Sequence, residues 1–228
     1  MPFCPTITSS FAPPVGTQSN SGNLLNPHPI TRKTMHSTQA TQSPKKAVPL
    51  DMVYDRQVLT WNGHGAYKAS SGMIGFQKPR ERCVADRGPI PTGVYSFALV
   101  EDKKLAQDDG TGICQLRASP KIQRIPRGAY AGDCEPYWAL WGVFRVRLEP
   151  LDRATNERCK SRRGGFYLHD SIKGFSHGCI EVETKFFTEL LSYLAAIRAG
   201  RAPRREKLVI EVRYVAERTT NGGTKKTQ

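Results

Sequence analysis

The sequence of 228 residues has no apolar run approaching the ~18 residues that a membrane-spanning helix needs. Its first residues also lack the basic stretch followed by an apolar segment that marks a cleavable secretory signal. We therefore expect neither a membrane span nor a conventional secretory precursor. No paired Cys-x-x-Cys motif occurs, which disfavours a structural zinc site.

Acidic residues are missing from the first 50 residues, and this absence contributes to an uneven charge balance. The chain carries 34 Lys and Arg residues against 20 Asp and Glu residues, a formal net charge of +14. The first 50 residues and residues 201–228 hold +9 of this charge, which leaves only +5 on the middle 150 residues. Because no basic stripe with interleaved aromatic side chains occurs, the charge predicts no nucleic-acid partner.

Hydrophobic periodicity is missing from residues 1–48, which contain seven of the sixteen prolines among Ser, Thr, Asn and Gln. Such a segment cannot bury enough apolar area to offset the entropy lost on ordering. We therefore expect a disordered Pro/Ser/Thr-rich leader over 1–48, a catalytic domain over 49–217 and a basic flexible tail over 218–228.

The domain itself shows mainly β patterns. Five segments rich in aromatic or β-branched residues predict strands at 52–61, 93–100, 139–148, 166–169 and 208–216. One helix is predicted, with Thr184 as its N-cap and Gly200 at its end. Apolar residues recur between them at helical spacing: Phe187, Leu190, Leu191, Leu194 and Ile197. The expected fold class is mainly β with at least one packed α-helix.

The most informative stretch places His169 at the end of a predicted strand and Cys179 ten residues later, after a loop with glycines. A thiol is a poor nucleophile until it ionises, so a catalytic cysteine needs a neighbouring imidazole, which His169 or His177 can supply. A lone cysteine is more often a small buried hydrophobe. Zinc ligation by Cys159, His169, His177 and Cys179 is chemically compatible with these side chains, but their spacing is irregular.

Two parts of the sequence resemble the L,D-transpeptidase (YkuD-like) catalytic domain. Ser176-His177-Gly178-Cys179-Ile180 is similar to its active-site signature, in which a His and a spacer precede Ser or Thr, His, Gly, Cys and an apolar residue. Upstream, Ser70-Ser71-Gly72 and the segment 88–95 resemble its Ser-x-Gly and Thr-Pro-x-Gly-x-Phe/Tyr segments, in the same order. The resemblance covers about 52–216 and implies a β-sandwich or barrel-like catalytic fold.

Two features depart from that family. Six residues separate His169 from Ser176, fewer than in most members, and Glu181 stands where Asn or Arg is common. The short spacer and the leader are instead similar to antibacterial type VI secretion effectors that carry a divergent L,D-transpeptidase domain. That resemblance implies secretion without a cleavable signal, action in the periplasm of a target cell, a secretion-apparatus component and an immunity protein as partners, and neither a cofactor nor a metal.

The reaction that the resemblance implies is cleavage between the L-centre of diaminopimelate and D-Ala in peptidoglycan tetrapeptide stems, or exchange of that D-Ala. In such a mechanism the Cys179 thiolate attacks the stem carbonyl and His169 moves the protons. Asp170 would orient His169. The backbone N–H groups of His177, Gly178 and Cys179 would bind the oxyanion, while Ser176 and His177 shape the loop.

Other interpretations of the same residues stay open. A Cys-His amidase or peptidase with another substrate uses the same dyad, and a non-catalytic basic protein that binds cell wall or nucleic acid needs none. Arg145, Arg147 and Lys173 are candidate groups for the carboxylates of the stem peptide.

Four further cysteines form an even set outside the candidate nucleophile and the leader: Cys83, Cys114, Cys134 and Cys159. Such a set allows three disulfide pairings or four reduced thiols. Cys114 and Cys134 flank a polar loop and are the first pairing to test.

Overall fold

The computed structural model describes residues 49–102, 119–126, 140–161 and 163–225, together with the backbone of two short strands at 107–108 and 114–115. The leader predicted over 1–48 lies outside these residues. The described chain is mainly β with few helices, which confirms the expected fold class.

Ten strands form one curled, half-barrel sheet, and two more form a separate pair. In chain order the strands are β1 (Met52–Asp55), β2 (Val58–Trp61), β3 (Gly65–Ser70), β4 (Gly93–Ala98), β5 (Gln107–Asp108), β6 (Cys114–Gln115), β7 (Gln123–Arg124), β8 (Phe144–Arg147), β9 (Glu149–Pro150), β10 (Tyr167–His169), β11 (Ile180–Val182) and β12 (Lys207–Arg213). The large sheet has the order β7-β8-β10-β11-β3-β2-β1-β12-β4-β9, and β5 pairs with β6. Its neighbours are antiparallel except for β1 with β12 and β10 with β11.

The helices with described bounds that accompany the sheet are a 3₁₀ helix at Pro79–Cys83, α1 (Arg153–Asn156) and α2 (Lys185–Arg198). The helix predicted from 184 to 200 is therefore confirmed as α2, although the Thr184 hydroxyl makes no cap hydrogen bond. Across the described residues, no helix is both long and apolar enough to cross a membrane.

The main hydrophobic core lies between the sheet and α2. The helix contributes four buried side chains to it: Phe186, Phe187, Leu190 and Leu194. This packing holds β10 and β11 rigidly, because Leu168, Ile180 and Val182 belong to the same core. The core therefore anchors β10, which carries His169, and β11, which begins directly after Cys179.

Two predicted strands differ from those observed. Residues 52–61 form a hairpin, because Arg56 adopts a positive φ of 58° and turns the chain between β1 and β2. The sequence predicts one strand over 139–148, but in the structure strand residues begin only at Phe144. Leu140 and Trp141 are helical, and Gly142, with φ of 77°, leads the chain close against Asp170.

Residues 218–225, the described part of the tail predicted over 218–228, contact the folded domain. Thr220 and Thr224 are buried, and the Thr220 hydroxyl donates to the Ser71 carbonyl at 2.6 Å. Asn221 forms an isolated bridge with Ser70 at the end of β3. The segment is ordered because its hydroxyls and main chain satisfy polar groups of residues 70–71.

Candidate active site

The parallel pairing of β10 with β11 brings the predicted base and nucleophile together. Leu168 is in register with Ile180, so Tyr167 lies opposite Cys179, and the Tyr167 N–H donates to the Cys179 Sγ at 3.4 Å. His169 is two residues beyond Tyr167 and points to the same face of the sheet. Strand spacing and rise place the Cα atoms of His169 and Cys179 about 8 Å apart, a separation that the two side chains can bridge.

The loop that carries Cys179 is built against both upstream motif segments. Ser176 and Gly72 are joined by two hydrogen bonds, from the Ser176 N–H to the Gly72 carbonyl at 3.1 Å and from the Gly72 N–H to the Ser176 Oγ at 3.2 Å. The Ser71 hydroxyl donates to the Gly178 carbonyl at 3.3 Å and accepts from the Ile90 N–H at 2.9 Å. Two segments that are distant in sequence therefore converge on this loop.

His169 is 2% exposed, and its surroundings favour the neutral imidazole. Burial holds its pKa well below the ordinary value, and the positive charges of Lys173 and Arg145 lower it further, although a hydrogen bond with the Trp141 backbone opposes the shift. The Trp141 ring meets the imidazole edge to face at 5.3 Å. Among the described residues the buried Nδ1 has no hydrogen-bond partner, so this nitrogen is available to accept a proton.

Asp170 uses its carboxylate on the backbone of a neighbouring loop. Its Oδ1 accepts from the Val143 N–H at 2.7 Å and from the Phe144 N–H at 2.8 Å, while its Oδ2 has no partner among the described residues. Burial raises the pKa of Asp170 to about 6, although the backbone hydrogen bonds lower it. The described contacts include no hydrogen bond from this carboxylate to His169. The hydrogen bonds that Asp170 accepts fix the start of β8 instead. This part of the chain is next to Trp141, whose ring packs on His169.

Cys179 is 2% exposed and packs in a small cluster with Ile125, Trp141 and Tyr167. This cluster is separate from the main core. Apolar walls on this side exclude water, which strengthens every electrostatic interaction at the sulfur.

The predicted oxyanion and loop residues mainly bind one another. The Gly178 N–H donates to the Ser176 Oγ at 3.3 Å, and the Ser176 hydroxyl lies 2.5 Å from the Cys179 carbonyl, to which it donates. His177 is directed away from this turn, with its Nδ1 2.8 Å from the Asp86 carbonyl. Gly178 has φ of 108°, a conformation that favours glycine. These contacts place Ser176 inside the loop and link His177 to the chain at Asp86.

Glu181 is fully buried, and its carboxylate organises the loop between His169 and Ser176. It accepts hydrogen bonds from the Ser171 hydroxyl, from the Lys173 N–H at 3.2 Å and from the Gly174 N–H at 2.6 Å. The Thr224 hydroxyl donates to the same carboxylate at 2.5 Å. One carboxylate thus connects the loop to the C-terminal segment, a role that the sequence alone did not indicate.

Replacing Glu181 with alanine is expected to destabilise the fold by about 3 kcal/mol, because several buried donors lose their acceptor together. The change is measured as the shift in the urea unfolding midpoint. The control Glu211→Ala, on the half-buried face of β12, is expected to cost less than about 1 kcal/mol. Equal losses of unfolding free energy in the two variants would show that the hydrogen bonds of Glu181 add no stability beyond that of an ordinary half-buried glutamate.

The three cationic residues suggested for substrate carboxylates lie in different surroundings. Arg145 is buried, donates from Nε to the Gln123 side chain at 2.9 Å, and stacks over the rings of Trp141 and Tyr167 at 4.6 and 4.7 Å. Arg147 forms an ion pair with Glu149 at 2.7 Å. The Lys173 ammonium lies 5.1 Å above the Phe175 ring. Of the three, Arg145 and Lys173 act electrostatically on His169.

A disulfide joins Cys83, at the end of the 3₁₀ helix, to Cys159, with a Cα–Cα distance of 5.3 Å. Cys159 is therefore not available to the zinc arrangement considered from the sequence. Cys134 and the side chain of Cys114 lie outside the described residues, so their predicted pairing stays a prediction. Four cysteines can form two disulfides in three ways, and the only one of these that contains Cys83–Cys159 also joins Cys114 to Cys134.

One residue near the thiol was missed from the sequence. Arg163, in the segment before β10, contacts the main chain of Gly178, since a Cβ built there would lie 2.4 Å from its Nη2. In sequence it belongs to a short basic and glycine-rich run, 162–165, which is typical of an exposed loop.

Comparisons with known proteins add no family assignment. No protein-family model matches the chain, and no curated protein matches it either.

Proposed function

We propose that the chain is a cysteine acyltransferase of peptidoglycan, with L,D-carboxypeptidase or L,D-transpeptidase activity on tetrapeptide stems. The observation that carries the proposal is the position of His169 at the end of β10 and of Cys179 directly before the parallel strand β11, with residues 70–72 and 88–90 packed around the cysteine loop. The substrate class rests on the resemblance of these same segments to the L,D-transpeptidase domain.

His169 is suited to the role of general base because its surroundings favour the neutral imidazole and its buried Nδ1 has no hydrogen-bond partner among the described residues. It takes the thiol proton as the Cys179 sulfur attacks the carbonyl of the diaminopimelate L-centre. The C–N bond to D-Ala then breaks, and the imidazolium returns the proton to the leaving amine. The remaining thioester passes either to water, which gives a tripeptide stem, or to the amine of another D-amino acid, which gives an exchanged stem.

The disulfide between Cys83 and Cys159 supports the same proposal. Disulfides persist in the periplasm and are rare in the cytosol. The Cys83–Cys159 bond is thus in keeping with an enzyme that works in the periplasm of a target cell. Delivery by a type VI apparatus and an immunity partner belong to the proposal through the resemblance alone.

Digestion of purified muropeptides tests the reaction. We expect the disaccharide tetrapeptide to be converted to the tripeptide with release of D-Ala, and to the exchanged product when another D-amino acid is added. Mass spectrometry measures both products. Matched substrates with L-Ala at position four, or with a tripeptide stem, should remain unchanged because neither offers the L,D bond.

The same digestion separates the alternatives. Cleavage at another bond of the muropeptide would favour an amidase or peptidase with the same dyad. Binding to intact sacculi without any product would favour a non-catalytic cell-wall protein. Either result would remove the L,D-specific proposal.

A further inference from the structure

Arg163 is held beside the cysteine loop by uncharged acceptors. Its Nη1 donates to the carbonyls of Arg82 and Pro89, the latter at 2.7 Å, and its Nη2 donates to the Gly88 carbonyl at 2.9 Å. The guanidinium also lies 5.2 Å from the Phe166 ring. Within the described residues its hydrogen bonds go only to backbone carbonyls, so its charge is not neutralised by a bonded carboxylate.

Covalent structure reinforces this placement. Arg163 follows Cys159 by four residues, and Cys159 is bonded to Cys83, the neighbour of the Arg82 whose carbonyl accepts from Arg163. The segment that carries the guanidinium is therefore tied to the element that supplies one of its acceptors. Such a preorganised side chain loses little entropy when it meets a charge.

The guanidinium and the thiol influence each other. Burial lowers the pKa of Arg163, whereas the negative charges of Asp86 and of the Cys179 thiolate raise it. The attraction is mutual, so the guanidinium charge favours the ionised sulfur in the same measure. Arginine remains charged under all ordinary conditions, which makes this contribution permanent.

The sequence position that the resembled family commonly fills with Asn or Arg cannot supply this charge here. Glu181 occupies it, and its carboxylate is engaged by the loop at 171–174 and by Thr224. Arg163, by contrast, lies against Gly178, the residue before Cys179.

We propose that Arg163 is a positioning residue that stabilises the thiolate of Cys179. This inference rests on the proposed function, in which the Cys179 sulfur loses its proton and becomes the nucleophile. Charged or titratable groups also approach the site from the surrounding elements: Asp86, Arg145, His169, Lys173 and His177. Tyr95 and Tyr214 interact with the guanidinium as well, but burial raises the pKa of each, so both are neutral near neutral pH.

The test is a pH titration of thiolate ultraviolet absorbance on the full, disulfide-intact chain. Subtracting the same titration of Cys179→Ala isolates the Cys179 signal from that of other thiols. In Arg163→Gln we expect the midpoint to move upward by about 1 pH unit or more. Arg163→Met, which fills a similar volume without charge, should give the same shift, so a folded form of either variant suffices. Arg163→Lys should restore most of the wild-type midpoint.

The matched control is Arg158→Gln, because Arg158 lies in the same segment and its Nε also donates to a carbonyl, that of Thr92 at 3.2 Å. Its midpoint should equal that of the wild type. An unchanged midpoint in folded Arg163→Gln or Arg163→Met would overturn the inference, as would an equal shift in Arg163→Lys.

The titration needs no substrate, so it fails independently of the proposed function. If the wild type leaves muropeptides intact but the Arg163 variants shift the midpoint, Arg163 still stabilises the thiolate and only the proposed function is lost. If muropeptides are trimmed and the midpoint does not move, the role of Arg163 is rejected alone.

Discussion

Replacing Cys179 with alanine is expected to lower kcat/KM for tetrapeptide trimming by at least about 10³-fold, because the sulfur that forms the acyl-enzyme is removed. The fold should survive, since the change removes one small side chain from a cluster with Ile125, Trp141 and Tyr167. We expect a stability cost of about 1 kcal/mol. Muropeptide mass spectrometry and urea unfolding measure the two effects.

The variant Cys179→Ser provides the control for size. A serine hydroxyl fills nearly the same space but is a far weaker nucleophile with this neutral imidazole as base, so this variant should be almost as inactive as the alanine variant. Activity that persists in both variants, with both folded, would exclude Cys179 as the nucleophile. A protein that acts by adhesion to the cell wall would give that result.

The loss also depends on His169 and on the geometry behind it. β10 and β11 are fixed by Leu168, Ile180 and Val182 in the main core, so the sulfur and the imidazole are held by rigid elements. Long-range positioning of this kind is what raises the effective concentration of a base near its nucleophile. The loop that joins the two residues is in turn held by Glu181.

Much of this fold could be predicted because its signals are local. The apolar spacing between Phe187 and Leu194 is sufficient for α2, and the aromatic and β-branched residues of β4, β10 and β12 are sufficient for strands. The β1–β2 hairpin was missed because its turn, Arg56-Gln57, contains no Gly, Asn or Pro. Arg56 adopts a positive φ that its residue type does not indicate.

The site was predicted in the same uneven way. Residues 169–180 form a contiguous motif, so the candidate pair His169 and Cys179 and the loop between them could be proposed from the sequence. The contributions of Arg163 and Thr224 could not, because each depends on contacts with residues far away in the chain. The sequence does not indicate whether a charged residue is buried or exposed, because that depends on how the chain packs around it.

Replacing Cys83 and Cys159 together with serine is expected to lower the free energy of unfolding by about 4 kcal/mol. The two residues are 76 positions apart, and in the chain-entropy model a bond that closes a loop of this length strongly restricts the unfolded chain. Urea unfolding of the oxidised wild type and of the double variant measures the difference. Reductant should weaken the wild type by a similar amount and leave the double variant nearly unchanged.

Cys4→Ser, in the predicted leader, is the matched control and should leave stability unchanged. Intact mass after thiol blocking gives the second measurement, since Cys83 and Cys159 should be protected in the wild type, and Cys114 with Cys134 as well if they form the remaining pair. The backbone carbonyl of Arg82, next to Cys83, accepts a hydrogen bond from Arg163. Loss of the disulfide should therefore also disturb the position of Arg163, and the double variant should lose more trimming activity than its lower stability explains. Full labelling of every cysteine, with no response of stability to reductant, would contradict both the bond and the proposed action in an oxidising compartment.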